Sequence, residues 1–232
     1  MNNFTIIIPI FNESECIFVL LEELLKEYKG KKPEILIVND GSDDGFQRNE
    51  KKLKKKNIKI YHHSKNLGKC KAMETGVKKS NNDLICVMDG DGQNPPYEIK
   101  KLFNKWKNLS VNDSEFALIC GNRIIRKDTI LKKISSLIAN KFRKLLLDDD
   151  CNDTACAFKM FRKKDYLRIN YFKNMHRFLP ALFKMHGGKI HNVMVDDRER
   201  FGGKSKFNFN NRFWIGIVDL VKVWILINKR RL

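Results

Sequence analysis

The stretch Leu84-Ile85-Cys86-Val87-Met88-Asp89-Gly90-Asp91-Gly92-Gln93-Asn94-Pro95-Pro96 decides how the chain is read. Its first five residues are an unbroken apolar run of strand length, the pattern of a strand buried on both faces. Pro95 and Pro96 end the extended segment and open a helix, because proline fits the first turn of a helix but not its interior. Two carboxylates, Asp89 and Asp91, therefore leave the carboxyl end of an interior strand, where open α/β sheets bind their ligands. Gly90 between them lets a ligand approach the backbone. Two hard oxygen donors this close suit Mg²⁺ or Mn²⁺, ions that use one or two carboxylates and complete their shell with water and substrate phosphates. Asp-x-Asp alone also suits a solvated turn, so the surrounding chain has to decide.

Outward from that stretch the same pattern repeats. Phe4 to Ile10 is a first buried strand, Asn12 and Ser14 can cap a helix, and Val19 to Leu25 supply its apolar face. Ile35 to Val38 form a second strand ending in the acidic turn Asn39-Asp40-Gly41-Ser42-Asp43-Asp44-Gly45. Ile58 to Tyr61 form a third, and Leu67-Gly68-Lys69 leads into a helix through Val77. The helix after Pro96 runs to about Leu109, and Phe116 to Cys120 form a fifth strand ending at Gly121-Asn122-Arg123. This alternation, up to about residue 122, predicts an α/β fold with a mostly parallel, Rossmann-like sheet covered by helices. No GxGxxG follows the first strand, which disfavours an ordinary dinucleotide site.

The second half is less regular. The sequence predicts a long helix over Ile130 to Leu147, a strand over Ala155 to Phe161, a helix over Phe178 to Met185 and a strand over Ile190 to Val195. Residues 123–210 read as a lid or acceptor-side extension of one domain spanning 1–210, whose first half is 1–122. Residues 211–232 read as an apolar, amphipathic C-terminal helix. At about 100° per residue, Arg212, Asp219, Lys222 and Lys229 share one arc of that helix, and Phe213, Trp214, Ile217, Leu220, Val221, Trp224, Ile225 and Ile227 fill the rest. Such a helix can pack on the core, bind a partner or lie in a membrane interface, and its tryptophans with Lys229-Arg230-Arg231 favour the last two.

Composition bounds the partners. The 232 residues are enough for one large domain, and the formal charge of +19 predicts attraction to polyanions: nucleotide phosphates, an anionic membrane or nucleic acid. Much of that excess is scattered lysine on solvated faces. The six cysteines show no CxxC and read as reduced core residues of a cytosolic protein. His62, His63, His176, His186 and His191 lack metal-ligand spacing. There is no secretory leader pattern, and no run reaches the roughly 18 apolar residues of a membrane span.

The motifs resemble a family. Ile8-Pro9-Ile10-Phe11-Asn12-Glu13, Val38-Asn39-Asp40-Gly41-Ser42-Asp43-Asp44-Gly45, Asn66-Leu67-Gly68-Lys69 and Met88 to Pro96 are similar, in that order, to the strand-end signatures of inverting family 2 glycosyltransferases with the GT-A fold. Gly121-Asn122-Arg123, Asp153 to Lys159, His176 to Leu182 and Arg200-Phe201-Gly202-Gly203-Lys204-Ser205-Lys206 resemble the polyprenyl-phosphate sugar transferases, the dolichol-phosphate mannosyltransferase group. Asn39 stands where an acidic residue is common, and Ala157 where glycine is common. Many bacterial relatives carry two transmembrane helices after the catalytic domain. This sequence ends before such a pair, and the resemblance then implies a membrane-facing helix or a membrane partner.

The resemblance implies a nucleotide sugar, GDP-mannose or UDP-glucose, bound across the strand ends. Pro9, Phe11 and Glu13 would wall the nucleotide, Asp40 would take its base or ribose edge, and Gly90 would line it. Asp89, Asp91 and Gln93 would hold Mg²⁺ or Mn²⁺. Arg123, Arg200 and Lys206, with Arg177, would offset repulsion between the donor and a polyprenyl (dolichyl or undecaprenyl) phosphate acceptor. A phosphate monoester is already anionic, so a dedicated base is dispensable. The implied setting is peripheral, at the cytoplasmic face of a membrane. Two other readings remain: a polysaccharide or glycolipid hydroxyl as acceptor, for which Asp153 is the best base, and a non-catalytic basic module binding membrane or nucleic acid. No nucleic-acid motif is present, so nucleic acid is not an expected partner.

Overall fold

In a computed structural model, residues 3–30, 33–54, 58–124, 143–202 and 209–229 are described. Seven strands form one sheet in the order β3-β2-β1-β4-β6-β5-β7. They are β1 (Thr5–Ile10), β2 (Glu34–Asn39), β3 (Ile58–His62), β4 (Leu84–Val87), β5 (Leu118–Arg123), β6 (Lys159–Arg162) and β7 (Ile190–Val195). The pairs β1–β2, β1–β4, β2–β3 and β5–β7 are parallel, while β6 runs antiparallel to both β4 and β5.

Alternation along each strand feeds two cores. Ile6, Ile8 and Ile10 of β1, with Cys86 of β4, pack under the helices Ser14–Glu27 and Ile99–Lys107. Ile7, Ile85 and Val87 point to the other face, under Lys69–Lys79 and Leu179–Met185. Each such Ile or Leu, fully buried, stabilises by roughly 1.5–3 kcal/mol before chain entropy is counted. With both faces covered, polar chemistry is left to the rim. The parallel register (Ile10↔Asn39, Asn39↔His62, Ile7↔Val87) brings the carboxyl ends of β1 to β4 to the same rim.

One expected strand changes its bounds. The strand expected over Ala155 to Phe161 begins only at Lys159, because the Cys156 N–H bonds the Asp153 carbonyl at 3.4 Å in a turn. That strand inserts between β4 and β5, so these two, consecutive in the first half of the chain, are not neighbours, and β6 and β7 make the second half integral to the sheet. The helix expected over Ile130 to Leu147 lies outside the described residues as far as 142, and residues 143–147 are helical.

The last helix, Phe209–Lys229, carries apolar residues on opposite faces. Val223 and Ile227 are buried in the second core, with Leu220 against it. Asp219, expected on the polar arc, is buried and accepts a 2.8 Å bond from the Asn174 amide. The exposed side instead bears Ile217, Val218, Val221, Trp224, Ile225 and Leu226. The side chains of Arg212, Phe213 and Trp214, and residues 230 and 231, lie outside the described set. Among the described residues, no helix is long and apolar enough to cross a membrane. All six cysteines are buried and free.

Candidate active site

The rim is built by loops that clamp one another. After β1, Asn12 exchanges bonds with the turn after β2: its N–H reaches Ser42 Oγ at 2.9 Å, its side-chain amide donates to Asp43 at 2.6 Å, and the Asp43 N–H returns to Asn12 Oδ1 at 2.9 Å. The Ser14 N–H, at the start of its helix, is capped by the Asp44 carboxylate at 2.7 Å. The turn after β2 thus holds the loop after β1 in place through bonds that join residues 30 or 31 apart in the chain.

Asp40 is itself a loop organiser. Its carboxylate is buried, meets His63 Nδ1 at 2.6 Å, and accepts the Leu67 and Gly68 N–H groups at 3.0 and 2.7 Å. These bonds order the chain between β3 and Lys69–Lys79. Asn39, the departure from the common acidic residue, is also buried; its side-chain oxygen accepts the Ser42 N–H at 3.0 Å, and its amide lies 3.1 Å from His62 Nδ1.

Asp89 and Asp91 stand on the loop after β4. The Asp89 N–H is held by Asn94 Oδ1 at 3.1 Å, and the Gln93 N–H by Asp91 Oδ1 at 3.0 Å. Gly90 is demanded by packing, since a Cβ there would lie 2.6 Å from Ile10 Cγ2. Gly92 is demanded twice: its φ is +82°, and a Cβ would lie 2.3 Å from the Phe201 ring.

A strap after β7 lies across this loop. The Arg198 N–H donates to the Gln93 carbonyl at 3.2 Å, and the Phe201 N–H to the Asp91 carbonyl at 3.2 Å. Arg198 Nε donates to the Gly92 carbonyl at 2.6 Å, its other nitrogens grip Glu23 at 3.1 and 2.5 Å, and its guanidinium stacks 4.2 Å over the Phe201 ring. So anchored, the strap delivers Arg200. One nitrogen of Arg200 donates to both Glu13 oxygens at 3.1 Å, and another to Asp91 Oδ2 at 2.9 Å. From the opposite side, the Lys69 ammonium bonds Asp89.

Among the described residues, the carboxylates of Glu13, Asp89 and Asp91 therefore meet the cations Lys69 and Arg200. Burial, reinforced by Asp89 nearby, pushes the Asp91 carboxyl up to about 6 despite the Gln93 N–H and Arg200. Among the described residues no group of three His, Cys, Asp or Glu is placed to hold an ion by itself; the fit rests on donor chemistry, since two carboxylates with the Gln93 amide suit a divalent ion whose shell phosphate and water oxygens complete.

Of the residues singled out in the sequence, the fold gathers Glu13, Asp89, Gly90, Asp91, Gln93 and Arg200. Pro9 is buried within β1 beside them, and Phe11 is half-buried on its loop. Arg123 sits at the carboxyl end of β5, but its guanidinium is committed to Asp153 at 2.6 and 3.1 Å, with Asp197 at 3.7 Å. Arg177 is half-buried in a short helical turn after β6, and Lys206 lies outside the described residues. Lys69 and Arg198 had no assigned role; the only sequence signals for them were their places in the Asn66–Lys69 motif and in the basic loop.

Residues 5–169, well over half of the chain, match the family described as Glycosyl transferase family 2. The chain belongs to that family. Curated relatives include the undecaprenyl-phosphate 4-deoxy-4-formamido-L-arabinose transferases of Pectobacterium carotovorum, 26% identical over 217 residues, and of Photorhabdus laumondii, 27% identical over 210. The alignments cover 90% and 88% of this chain, which spans 64% and 63% of those proteins. Among solved structures, glucosyl-3-phosphoglycerate synthase from Mycobacterium tuberculosis, in complex with Mn²⁺, UDP and glucosyl-3-phosphoglycerate, superposes with a TM-score of 0.73 at 10% identity over 97% of this chain and 79% of that one. Mannosyl-3-phosphoglycerate synthase from Rubrobacter xylanophilus gives 0.72 at 14% identity, over 99% and 75%. At such identities the likeness establishes the fold: the mixed, mostly parallel seven-stranded sheet of this family 2 member is the GT-A arrangement.

Proposed function

We propose that this family 2 member is a metal-dependent inverting glycosyltransferase that moves a sugar from a nucleoside-diphosphate donor to a polyprenyl phosphate. The observation that carries this reading is the Asp89–Asp91 pair at the end of β4, crossed by the strap that brings Arg200 onto Asp91 and Glu13. The relatives named for transfer to undecaprenyl phosphate support the acceptor class.

Asp89 and Asp91, with Gln93, would hold Mg²⁺ or Mn²⁺, which when bound supplies positive charge for the departing diphosphate. Glu13 and Asp91 fix the Arg200 guanidinium on the rim, where its planar fork can face a phosphate. The acceptor phosphate attacks the donor's anomeric carbon from the face opposite the departing nucleoside diphosphate. The bond from that carbon to the donor oxygen breaks, and the nucleoside diphosphate leaves with the electron pair. No base is needed for an acceptor that arrives ionised. The alternative of a hydroxyl acceptor with Asp153 as base is disfavoured, because that carboxylate is bonded along both oxygens to Arg123. Family membership disfavours the non-catalytic reading.

The exposed apolar stripe on the last helix supports contact with lipid or with a small membrane partner, consistent with a lipid acceptor and a peripheral place at the cytoplasmic membrane face. The donor sugar is the finer question. The hexoses mannose and glucose were the expectation, whereas the relatives are named for a formamido-arabinose. The test incubates the protein with a short polyprenyl phosphate, Mn²⁺ or Mg²⁺, and GDP-mannose, UDP-glucose or a nucleotide-linked 4-deoxy-4-formamido-arabinose in parallel. Metal-dependent glycosyl-lipid, seen by mass, is the expected result. Transfer that persists in Asp91→Asn, or that ignores chelation, refutes the metal-dependent reading.

A further inference from the structure

The two carboxylates of the Asp89–Asp91 pair are neutralised in different ways. Arg200 on Asp91 belongs to a strap anchored by Arg198 at Gly92 and Glu23 and by the Phe201 N–H at Asp91. Its partner carboxylate is only 8% exposed. Lys69 on Asp89 is one flexible side chain at the first turn of Lys69–Lys79, and the two side chains are 33% and 34% exposed. Exposed pairs of this kind are weak and readily exchanged. An ion arriving from solvent therefore meets Asp89 through Lys69, and an ammonium and a dication on one carboxylate repel each other.

We propose that Lys69 is a cationic placeholder and positioning residue. Its ammonium neutralises Asp89 in the ligand-free protein, yields that carboxylate to the divalent ion, and then turns to the donor's diphosphate. The inference rests on the reading of Asp89 and Asp91 as the metal pair. The charges support the hand-over. A dication adds two positive charges beside Asp89 and Asp91, and a diphosphate then finds both the ion and a released ammonium. A lysine suits this exchange because its charge is a compact point on a four-carbon stem, able to serve a carboxylate or a phosphate without bidentate geometry. The neighbouring Lys71 provides the contrast: on the same helix it pairs with Glu74 at 2.6 Å.

The test is calorimetric titration of Mn²⁺ into the full chain, without nucleotide, for wild type, Lys69→Met, Lys69→Gln and Lys71→Met, with Asp89→Asn as the metal-site control. The two Lys69 variants are expected to bind Mn²⁺ about fivefold more tightly, the scale of one exposed ion pair, and Lys71→Met within about twofold of wild type as a long-range charge control. With Mn²⁺ saturating, UDP and GDP are then titrated separately. The Lys69 variants are expected to bind the preferred diphosphate about five- to tenfold more weakly, the reverse of their effect on the ion. A purely structural lysine would not move these two affinities in opposite directions. Unchanged or weaker Mn²⁺ binding in both Lys69 variants, with normal binding in wild type, overturns the placeholder alone. Tighter Mn²⁺ binding with undiminished diphosphate affinity overturns the hand-over. Mn²⁺ binding that is absent from wild type, or that survives Asp89→Asn, overturns the metal reading and the placeholder with it.

Discussion

Replacing Gly92 by alanine tests whether the strap and the acidic loop form one unit. The backbone at Gly92 has φ +82°, a region that disfavours L-residues by about 1 kcal/mol. The new methyl would also lie 2.3 Å from Cδ2 and 2.6 Å from Cε2 of Phe201. That ring cannot withdraw freely, because Arg198 stacks 4.2 Å above it and is tied to Glu23 and the Gly92 carbonyl. Overpacking of this kind costs about 1–3 kcal/mol, so Gly92→Ala should destabilise by about 2–4 kcal/mol in all. Phe201→Ala removes the obstruction and leaves only the backbone cost, so Gly92→Ala in that background should cost about 1 kcal/mol. The cycle therefore predicts a coupling of about 1–3 kcal/mol. Urea unfolding of the four proteins measures it. Should the strap lift rather than distort, hydrogen exchange of the Phe201 amide, which donates to the Asp91 carbonyl, would accelerate in Gly92→Ala and sugar transfer would fall with it. A cost below about 0.5 kcal/mol without faster exchange, or an equal cost in both backgrounds, would refute the argument.

Asp153→Asn breaks the paired bonds to Arg123 and should destabilise by about 2–3 kcal/mol in denaturant, discounted from a fully buried pair because Arg123 is partly exposed; a bell-shaped pH–rate profile that loses its acidic limb in this variant would instead mark Asp153 as a base. Burial raises the Glu34 carboxyl, but bonds from Lys59, the Asn81 N–H and Thr5 outweigh it and hold the group below its ordinary value. A depressed carboxyl contributes stability above its unfolded value near about 4.3 and loses it as pH falls through the lower folded value. Glu34→Gln should therefore flatten the fall in melting temperature between about pH 6 and pH 3, and an unaltered slope would refute the assignment. On the last helix, Ile227→Ala should cost about 2–4 kcal/mol because the side chain is buried, whereas Val221→Ala on the exposed stripe should stay within about 0.5 kcal/mol. Equal costs would show that the burial of the two faces is wrongly assigned.

Much of the architecture was legible because it rests on short-range patterns. Short, largely apolar runs marked β1 to β4 within a residue or two, and Ile190–Val195 was read with its observed bounds. Glycine and acidic residues after each run marked the rim, and Asp89-Gly90-Asp91 marked its chemistry. The place of β6 was not legible, because nothing in the four residues Lys159-Met160-Phe161-Arg162 says which neighbours the strand will join. The last helix shows the same boundary: its composition predicts amphipathicity, but with apolar residues on opposite faces only docking against the second core, with Asn174 bonded to Asp219, decides which stripe is buried.

The sequence by itself determined the layered α/β sheet, the carboxyl-end rim and the carboxylate pair on it, since strand alternation and turn chemistry act over a few residues. The tertiary structure decided the electrostatics of that rim. Lys69 reaches Asp89 across 20 residues, Arg200 reaches Asp91 across 109, and Arg123 turns to Asp153 rather than toward the acidic loop. Among 46 lysines and arginines, no local pattern ranks these pairings. Which cation meets which carboxylate depends on where distant loops land once the sheet has closed.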